Sequence, residues 1–130
     1  MPEQNAKKKV LVVDDEAGSR LLLKASLEKN GFELLQAENG LDALNLVKVN
    51  KPDLIIMDRM MPKMDGLKAC AFLKLDRRFA DIPVIMLTAS AEKADQKLSE
   101  QVGVNAFLNK PVNTTALLEK VQELLVRGTA

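Results

Sequence analysis

The 130-residue sequence contains no histidine, tryptophan or tyrosine, and it has a single cysteine. The absence of histidine excludes histidine metal ligands, histidine general bases and Ser-His-Asp triads within the chain. The one cysteine, Cys70, can form neither an internal disulfide nor a zinc cluster. Any chemistry must therefore come from carboxylates, lysines, hydroxyls and the backbone.

The sequence also lacks an excess of either charge. Lys and Arg total 19 against 18 for Asp and Glu, so the net charge of +1 creates no field that would gather nucleic acid or anionic lipid. The apolar runs are too short to span a bilayer, and the N-terminus has no signal peptide pattern. We therefore expect a cytoplasmic chain without direct nucleic-acid binding or membrane insertion.

The length is that of one domain with its own hydrophobic core. We predict a domain over residues 9–126. The polar residues 1–8 are expected to form a flexible N-terminal tail, and residues 127–130 a short C-terminal tail after the last helix.

Five short apolar runs alternate with five segments of helical periodicity. The predicted strands are Lys9–Val13, Phe32–Ala37, Asp53–Met57, Pro83–Leu87 and Ala106–Leu108. The predicted helices cover residues 21–28, 40–50, 66–74, 92–102 and 113–126. Their apolar stripes are predicted at Leu21, Leu22, Ala25 and Leu27, at Leu41, Leu44, Val47 and Val49, and at Leu117, Val121, Leu124 and Leu125.

This alternation is typical of βαβ units. The strands are continuously apolar instead of alternating, which indicates a parallel sheet covered on both faces. The predicted fold is an open, doubly wound α/β structure. In such sheets ligands bind beyond the carboxyl ends of the strands, so the residues just after each strand are the candidates for a site.

Polar and charged residues stand at four of these strand ends. They are Asp14, Asp15 and Glu16 after the first strand, Asp58 after the third, Thr88 after the fourth and Lys110 after the fifth. Clustered carboxylates repel one another unless a cation or a proton neutralises them, and Mg²⁺ suits such oxygen ligands. A bound Mg²⁺, a lysine and a hydroxyl together can stabilise a phosphoryl group that moves to a carboxylate. The constellation therefore predicts a transient aspartyl phosphate.

Four motifs resemble the receiver domains of bacterial two-component response regulators. They are "VLVVDDE", "LIIMDRMMPKMDG", "PVIMLTA" and "FLNKP", in this order, and the resemblance covers about residues 9–126. It implies a flavodoxin-like three-layer (βα)5 sandwich with strand order 2-1-3-4-5. It also implies a phosphorylation-activated switch more than an enzyme.

The resemblance assigns a role to each matched residue. Asp58 is similar to the phosphoacceptor, Lys110 to the lysine that holds the phosphoryl group, and Thr88 to the switch hydroxyl. Phe107 is similar to the aromatic switch residue, and the Lys110–Pro111 bond is expected to be cis.

The same resemblance implies a metal and partners. Asp14, Asp15, Asp58 and the backbone carbonyl of Met60 correspond to the site for Mg²⁺, with Mn²⁺ as a substitute. The expected donor is a sensor histidine kinase or a histidine phosphotransfer protein. The expected output is binding of a downstream protein to the surface of the fourth helix, fifth strand and fifth helix.

Alternatives remain open on the sequence alone. Asp14 and Asp15 could instead cap the first helix, and Phe107 could be plain core. A haloacid dehalogenase-type phosphohydrolase would need a second acid two residues after its nucleophile, which the sequence lacks. A flavodoxin-like FMN carrier would need a glycine- and hydroxyl-rich loop after the first strand, where "DDEAGSR" is acidic. A receiver-like scaffold without phosphorylation is disfavoured because every matched position is filled.

Two departures from the family pattern affect what can be transferred. Asn105 stands where many receivers have an acid, and Asn109 lies in the same "NAFLNKP" stretch. Arg59 and Met60, beside the acceptor, are expected to tune how long the phosphate survives. Whether the chain stands alone or is excised from a longer protein stays open.

Overall fold

The computed structural model describes the backbone at residues 7–89 and 93–129, where five strands alternate with five helices. The strands are β1 (Lys9–Val13), β2 (Glu33–Ala37), β3 (Leu54–Asp58), β4 (Val84–Thr88) and β5 (Ala106–Asn109). The helices are α1 (Ala17–Lys29), α2 (Gly40–Asn50), α3 (Gly66–Leu75), α4 (Lys93–Val102) and α5 (Thr114–Thr129).

The strands form one parallel sheet in the order β2-β1-β3-β4-β5. This confirms the predicted doubly wound, flavodoxin-like fold. The strand order reverses between β1 and β3, which is where a doubly wound sheet opens a crevice at its carboxyl edge.

Helices cover the sheet on both faces. One apolar cluster joins the sheet to α2 and α3, with Val102 of α4 packed against it, and the other joins the sheet to α1 and α5. Along β3, Ile55 and Met57 enter the first cluster while Leu54 and Ile56 enter the second. Both faces of the strand are therefore buried, which explains its continuous apolar sequence.

The predicted apolar stripe of α1 is confirmed at Leu27 but wrong at Leu21 and Leu22. Leu23 and Leu27 are buried in the core, whereas Leu21 and Leu22 are 65% and 59% exposed. Residues four apart lie on one face of a helix, so the pair Leu23 and Leu27 can face the sheet together. The local apolar run Leu21–Leu23 could not reveal which of its members faces inward.

In α2 the predicted stripe is confirmed at Val47, whereas Leu41 and Val49 are exposed and Ala43, which was not predicted, is buried. In α5 the predicted stripe is confirmed at Leu117, Val121 and Leu124.

Several element ends differ from the prediction. Asp58 and Thr88 are the last residues of β3 and β4, not the residues that follow them. Helix α5 continues to Thr129, past the predicted end at Val126, because a single glycine in the last turn lowers helix propensity without ending the helix. The predicted start of the fourth helix at Glu92, most of the predicted tail 1–8, and Ala130 lie outside the described residues.

Helix α3 begins close to the end of β3. The Asp65 carboxylate caps it by accepting a hydrogen bond of 2.8 Å from the Lys68 N–H, which agrees with the structural role predicted for this acid. A Cβ atom at Gly66 would collide with the Asp58 carbonyl oxygen and approach the Met86 sulfur. Glycine at this position therefore allows α3 to start directly against the strand that carries Asp58.

Candidate functional site

Four of the predicted residues meet at the carboxyl edge of the sheet. The Lys110 Nζ lies 2.9 Å from Asp58 Oδ2 and 3.4 Å from Asp14 Oδ2. Thr88 ends the neighbouring strand β4, and its carbonyl oxygen accepts a hydrogen bond of 2.8 Å from the Lys110 N–H. The peptide bond between Lys110 and Pro111 is cis. Residues separated by up to 96 positions in sequence thus meet in one crevice.

Three carboxylates form the floor and rim of this crevice. One oxygen each from Asp14, Asp15 and Asp58 lies within 4.8 Å of the others. Asp14 is fully buried and Asp58 is nearly so, whereas Asp15 is exposed. An oxygen-rich, partly open cluster of this kind fits a hard divalent cation that keeps some of its waters.

The electrostatics of Asp58 support the same fit. Burial raises the pKa of this carboxyl above its ordinary value, and the charge of Asp14 acts in the same direction. The hydrogen bond and charge of Lys110 oppose the rise, as does a backbone hydrogen bond from Met60. One lysine faces more than one carboxylate, so a divalent cation would lower the electrostatic cost of keeping Asp58 ionised.

Lys110 responds to the same neighbours. Burial alone would lower the pKa of its ammonium group, but the hydrogen bond and charge of Asp58, with a smaller contribution from Asp14, raise it on balance. The side chain is therefore held as a cation within reach of any group bound at Asp58.

Every polar backbone and side-chain group of Asp14 has a contact. Its N–H donates to the Ala37 carbonyl at 3.1 Å, and its Oδ1 accepts from the Glu16 N–H at 2.9 Å. Its carbonyl oxygen accepts a hydrogen bond of 2.7 Å from Arg20 Nη1. The N-cap position of α1 is occupied by Glu16, whose side chain makes no capping bond, so neither Asp14 nor Asp15 is the cap.

The remaining predicted residues surround this centre. Met60 is 65% exposed in the loop after β3, and the metal role of its carbonyl stays a prediction. Phe107 is partly buried and packs against the apolar cluster on the α2–α3 face, two residues before the end of β5. Its packing agrees with the core reading and leaves a switching role as a prediction.

Sequence reasoning missed Arg20. Its side chain is 13% exposed, it lies in the second turn of α1, and its guanidinium reaches back to the main chain of Asp14. The available signal was a basic residue shortly after the acidic "DDE", but nothing in the sequence specified the direction of the side chain.

The sequence matches the response regulator receiver domain over residues 10–122. The chain belongs to the response regulator receiver family. Among characterised relatives, it is 36% identical to the polar-differentiation response regulator DivK of Brucella anthropi, over 91% of this chain and 96% of DivK. It is 37% identical to the alkaline phosphatase synthesis transcriptional regulatory protein PhoP of Bacillus subtilis, over 93% of this chain and 50% of PhoP. The chain thus spans about half the length of PhoP and nearly all of DivK.

Solved receiver structures have the same fold. The chemotaxis response regulator CheY4 of Vibrio cholerae superposes with a TM-score of 0.86 at 29% identity, covering 92% of this chain and 99% of CheY4. A response regulator from Chloroflexus aurantiacus gives a TM-score of 0.89 at 28% identity, covering 93% and 99% of the two chains. Across residues 7–89 and 93–129, no helix combines the length and apolar character needed to cross a membrane.

Proposed function

We propose that this receiver chain is a phosphorylation-activated switch whose Asp58 accepts a phosphoryl group from the phosphohistidine of a kinase or phosphotransfer protein. The observation that carries the proposal is the position of Asp58, 2.9 Å from Lys110 and within one oxygen cluster with Asp14 and Asp15. The sequence contains no histidine, so a phosphohistidine donor must lie outside these 130 residues.

The transfer is an in-line displacement. A carboxylate oxygen of Asp58 attacks phosphorus, the P–N bond of the donor breaks, and its electron pair returns to the imidazole, which takes up a proton. Mg²⁺ held by Asp14, Asp15, Asp58 and the Met60 carbonyl would neutralise charge on the phosphoryl oxygens. Lys110 would move from its present contact with Asp58 Oδ2 to a phosphoryl oxygen, where it stabilises developing negative charge.

The proposed product is an acyl phosphate that hydrolyses to restore the carboxylate. The chain would therefore catalyse only its own phosphorylation and dephosphorylation, and it would not turn over a separate substrate. Arg59 and Met60 follow Asp58 directly, and Arg59 Nη1 contacts the Met60 sulfur at 3.1 Å. Because this pair directly follows the phosphoacceptor in the chain, we propose that it sets the lifetime of the phosphate.

The proposed output requires Thr88 and Phe107. Thr88 is 93% buried at the end of β4 and is adjacent in the sheet to β5, which carries Phe107. A phosphoryl group on Asp58 would attract the Thr88 hydroxyl, and Phe107 would then occupy the space left behind it. The resulting change in the α4-β5-α5 surface would be stabilised by a downstream protein that binds the altered form better.

The surface beside Asp58 supports access by a protein donor. A cleft of about 160 Å³ is lined by residues of α1 and of the segment after β5, among them Asp14, Leu22 and Lys110. The exposed leucines Leu21 and Leu22 lie on this helix. An apolar rim next to buried charge suits docking of a partner helix that presents a phosphohistidine. Such a partner and the free thiol of Cys70 both agree with a cytoplasmic location.

The test incubates the purified chain with acetyl phosphate and Mg²⁺ and measures its intact mass. We expect one phosphoryl adduct that requires Mg²⁺ and is absent in Asp58→Asn, while Asp65→Asn, the matched control in the same loop, keeps it. An unmodified wild type under conditions that label other receivers would contradict the proposal. Flavin absorbance of the purified protein and turnover of small phosphate esters test the carrier and phosphohydrolase alternatives.

A further inference from the structure

The segment that carries Asp14 and Asp15 is fixed to the fold from two sides. The Asp14 N–H bonds to Ala37 at the end of β2, and the Asp14 carbonyl oxygen bonds to Arg20 Nη1 at 2.7 Å. The first contact continues the sheet beyond β1, whereas the second comes from a side chain of α1. The backbone orientation at Asp14 therefore depends on a residue six positions further along the chain.

Arg20 is placed to hold this backbone without competing for the acids. Within the part of the chain that the structure describes, its guanidinium contacts the Asp14 carbonyl oxygen and, at 3.7 Å, Glu38 Oε1, and neither is a carboxylate oxygen of the acidic cluster. Its side chain is 13% exposed, while Glu38 is 70% exposed. A charge-assisted hydrogen bond to a carbonyl inside the protein is stronger and better ordered than a long ion pair in water, so the Asp14 contact is the one that fixes Arg20.

Cation affinity depends on how closely the ligand oxygens are arranged before the ion arrives. Asp14 and Asp15 are consecutive, so a rotation of the peptide between them would move both carboxylates relative to Asp58. Residues that orient ligands from behind typically contribute about 10–100-fold to metal affinity.

We propose that Arg20 is a positioning residue for the divalent cation site, acting through the backbone of Asp14. The proposal rests on the proposed function to the extent that the Asp14, Asp15 and Asp58 cluster binds Mg²⁺. Without the guanidinium, all three carboxylate ligands are still present, but the Asp14–Asp15 segment can rotate. We therefore expect a clear loss of cation affinity with little change in the free energy of unfolding of the metal-free protein.

The test measures the Kd of Mg²⁺ by calorimetry, and of Mn²⁺ by electron paramagnetic resonance, on the full chain without any phosphodonor. We expect Arg20→Met to raise both Kd values about tenfold, and Arg20→Lys to give intermediate values because a flexible ammonium holds the carbonyl less tightly. Glu38→Gln, which removes the long contact, and Arg77→Met, a matched arginine on the exposed segment after α3, should leave both Kd values unchanged.

Urea unfolding with and without Mg²⁺ separates positioning from general stability. A cation that binds the folded state raises the free energy of unfolding according to its affinity, so Arg20→Met should lose most of the increment that Mg²⁺ gives the wild type. A loss of stability that is equal with and without Mg²⁺, together with an unchanged Kd, would overturn the proposal.

If Arg20→Met does not fold, Arg20→Lys decides the question, and a Kd equal to that of the wild type overturns the inference.

These measurements distinguish failure of the Arg20 proposal from failure of the proposed phosphorylation switch. Equal Kd values in wild type and Arg20→Met refute the positioning role while phosphorylation of Asp58 stands. Normal Mg²⁺ binding without phosphorylation refutes the switch while the role of Arg20 stands, and a wild type that binds no Mg²⁺ refutes both.

Discussion

Two partly buried lysines lie at opposite edges of the sheet and have opposite environments. At the carboxyl edge, Lys110 faces the carboxylates of Asp58 and Asp14, and its pKa is raised on balance. At the amino edge, Lys74 donates to the carbonyl oxygens of Ala80 and Ile82 and to Asn105 Oδ1, at 3.0, 2.7 and 3.1 Å. Burial lowers the pKa of Lys74.

The two lysines differ in the charge of the oxygen atoms that their ammonium groups contact. Lys74 donates all three of its ammonium hydrogens to neutral oxygens. These bonds connect the end of α3 to the segments before β4 and β5. Lys110 instead faces carboxylates, whose mutual repulsion would be reduced by a bound cation. A carboxylate oxygen can also attack an electron-poor phosphorus atom. The same type of side chain therefore ties segments of the fold together at one edge and faces the carboxylates of the candidate site at the other.

Removing the Lys110 ammonium should have the largest effect on reactivity. We expect Lys110→Met to slow phosphorylation by acetyl phosphate by about 100-fold, since one charged donor to the transition state is lost. Rates of adduct formation from intact mass give the answer, and Lys120→Met on α5 is the control. If Lys110→Met reacts as fast as Lys120→Met, the lysine has no part in the transfer.

The equivalent change at Lys74 should instead destabilise the fold. Lys74→Met leaves the partly buried carbonyl oxygens of Ala80 and Ile82 without their charged donor, and we expect the free energy of unfolding to fall by about 2 kcal/mol. Urea unfolding measures it, with Lys68→Met on the exposed face of the same helix as the control. Phosphorylation per folded molecule should stay normal. Equal stability of the two variants would show that the clamp contributes nothing.

Neutralising Asp58 should stabilise the protein when Mg²⁺ is absent. Burial holds the pKa of this carboxyl above 3.8 in the folded state, so the unfolded chain ionises first as the pH rises. Ionisation of Asp58 therefore reduces stability above about pH 4, and none of this loss is present below that pH.

The free energy of unfolding of Asp58→Asn should accordingly exceed that of the wild type at pH 7, and the gap should shrink toward pH 4. Urea unfolding across this pH range measures it, and Mg²⁺ should close the gap by stabilising only the wild type. A gap that is independent of pH would contradict this account of the acidic cluster.

The smallest effect is expected from Asn105→Asp, which gives Lys74 an anionic partner like that of Lys110. Asn105 Oδ1 also accepts a hydrogen bond of 2.8 Å from the Val84 N–H, and a carboxylate oxygen can make the same contact. We expect a gain of about 0.5 kcal/mol in the free energy of unfolding, which decreases with added salt. Asn45→Asp on the exposed side of α2 is the control. An equal gain in stability there would show that the effect comes from the change in net charge and not from the contact with Lys74.

The residues at the carboxyl edge could be predicted from the sequence, whereas the Lys74 contacts at the amino edge could not. Asp14, Asp58, Thr88 and Lys110 could be found because each lies where an apolar run ends, and a parallel sheet brings such ends together. Lys74 gave no such signal: it occupies a helix position like that of any surface lysine, and Asn105 was recognised only as a departure from the family pattern. Their contact depends on how α3 packs.

Helix phase was the other weakness of sequence reasoning. Consecutive leucines at positions 21–23 satisfy several amphipathic patterns, and packing against the sheet selected Leu23 with Leu27. In α5 the apolar residues are spaced by three and four, so one face was determined and Leu117, Val121 and Leu124 were predicted correctly.

The proposed switch requires that Asp58, and not another acid of the cluster, carry the phosphoryl group. Borohydride reduces an acyl phosphate to an alcohol, so treatment of the phosphorylated chain would convert the modified aspartate to homoserine, which peptide mass mapping locates. We expect homoserine at position 58 alone, dependent on Mg²⁺ and lost in Asp58→Asn. Homoserine at position 14 or 15, or none in a chain that carries the adduct, would contradict it.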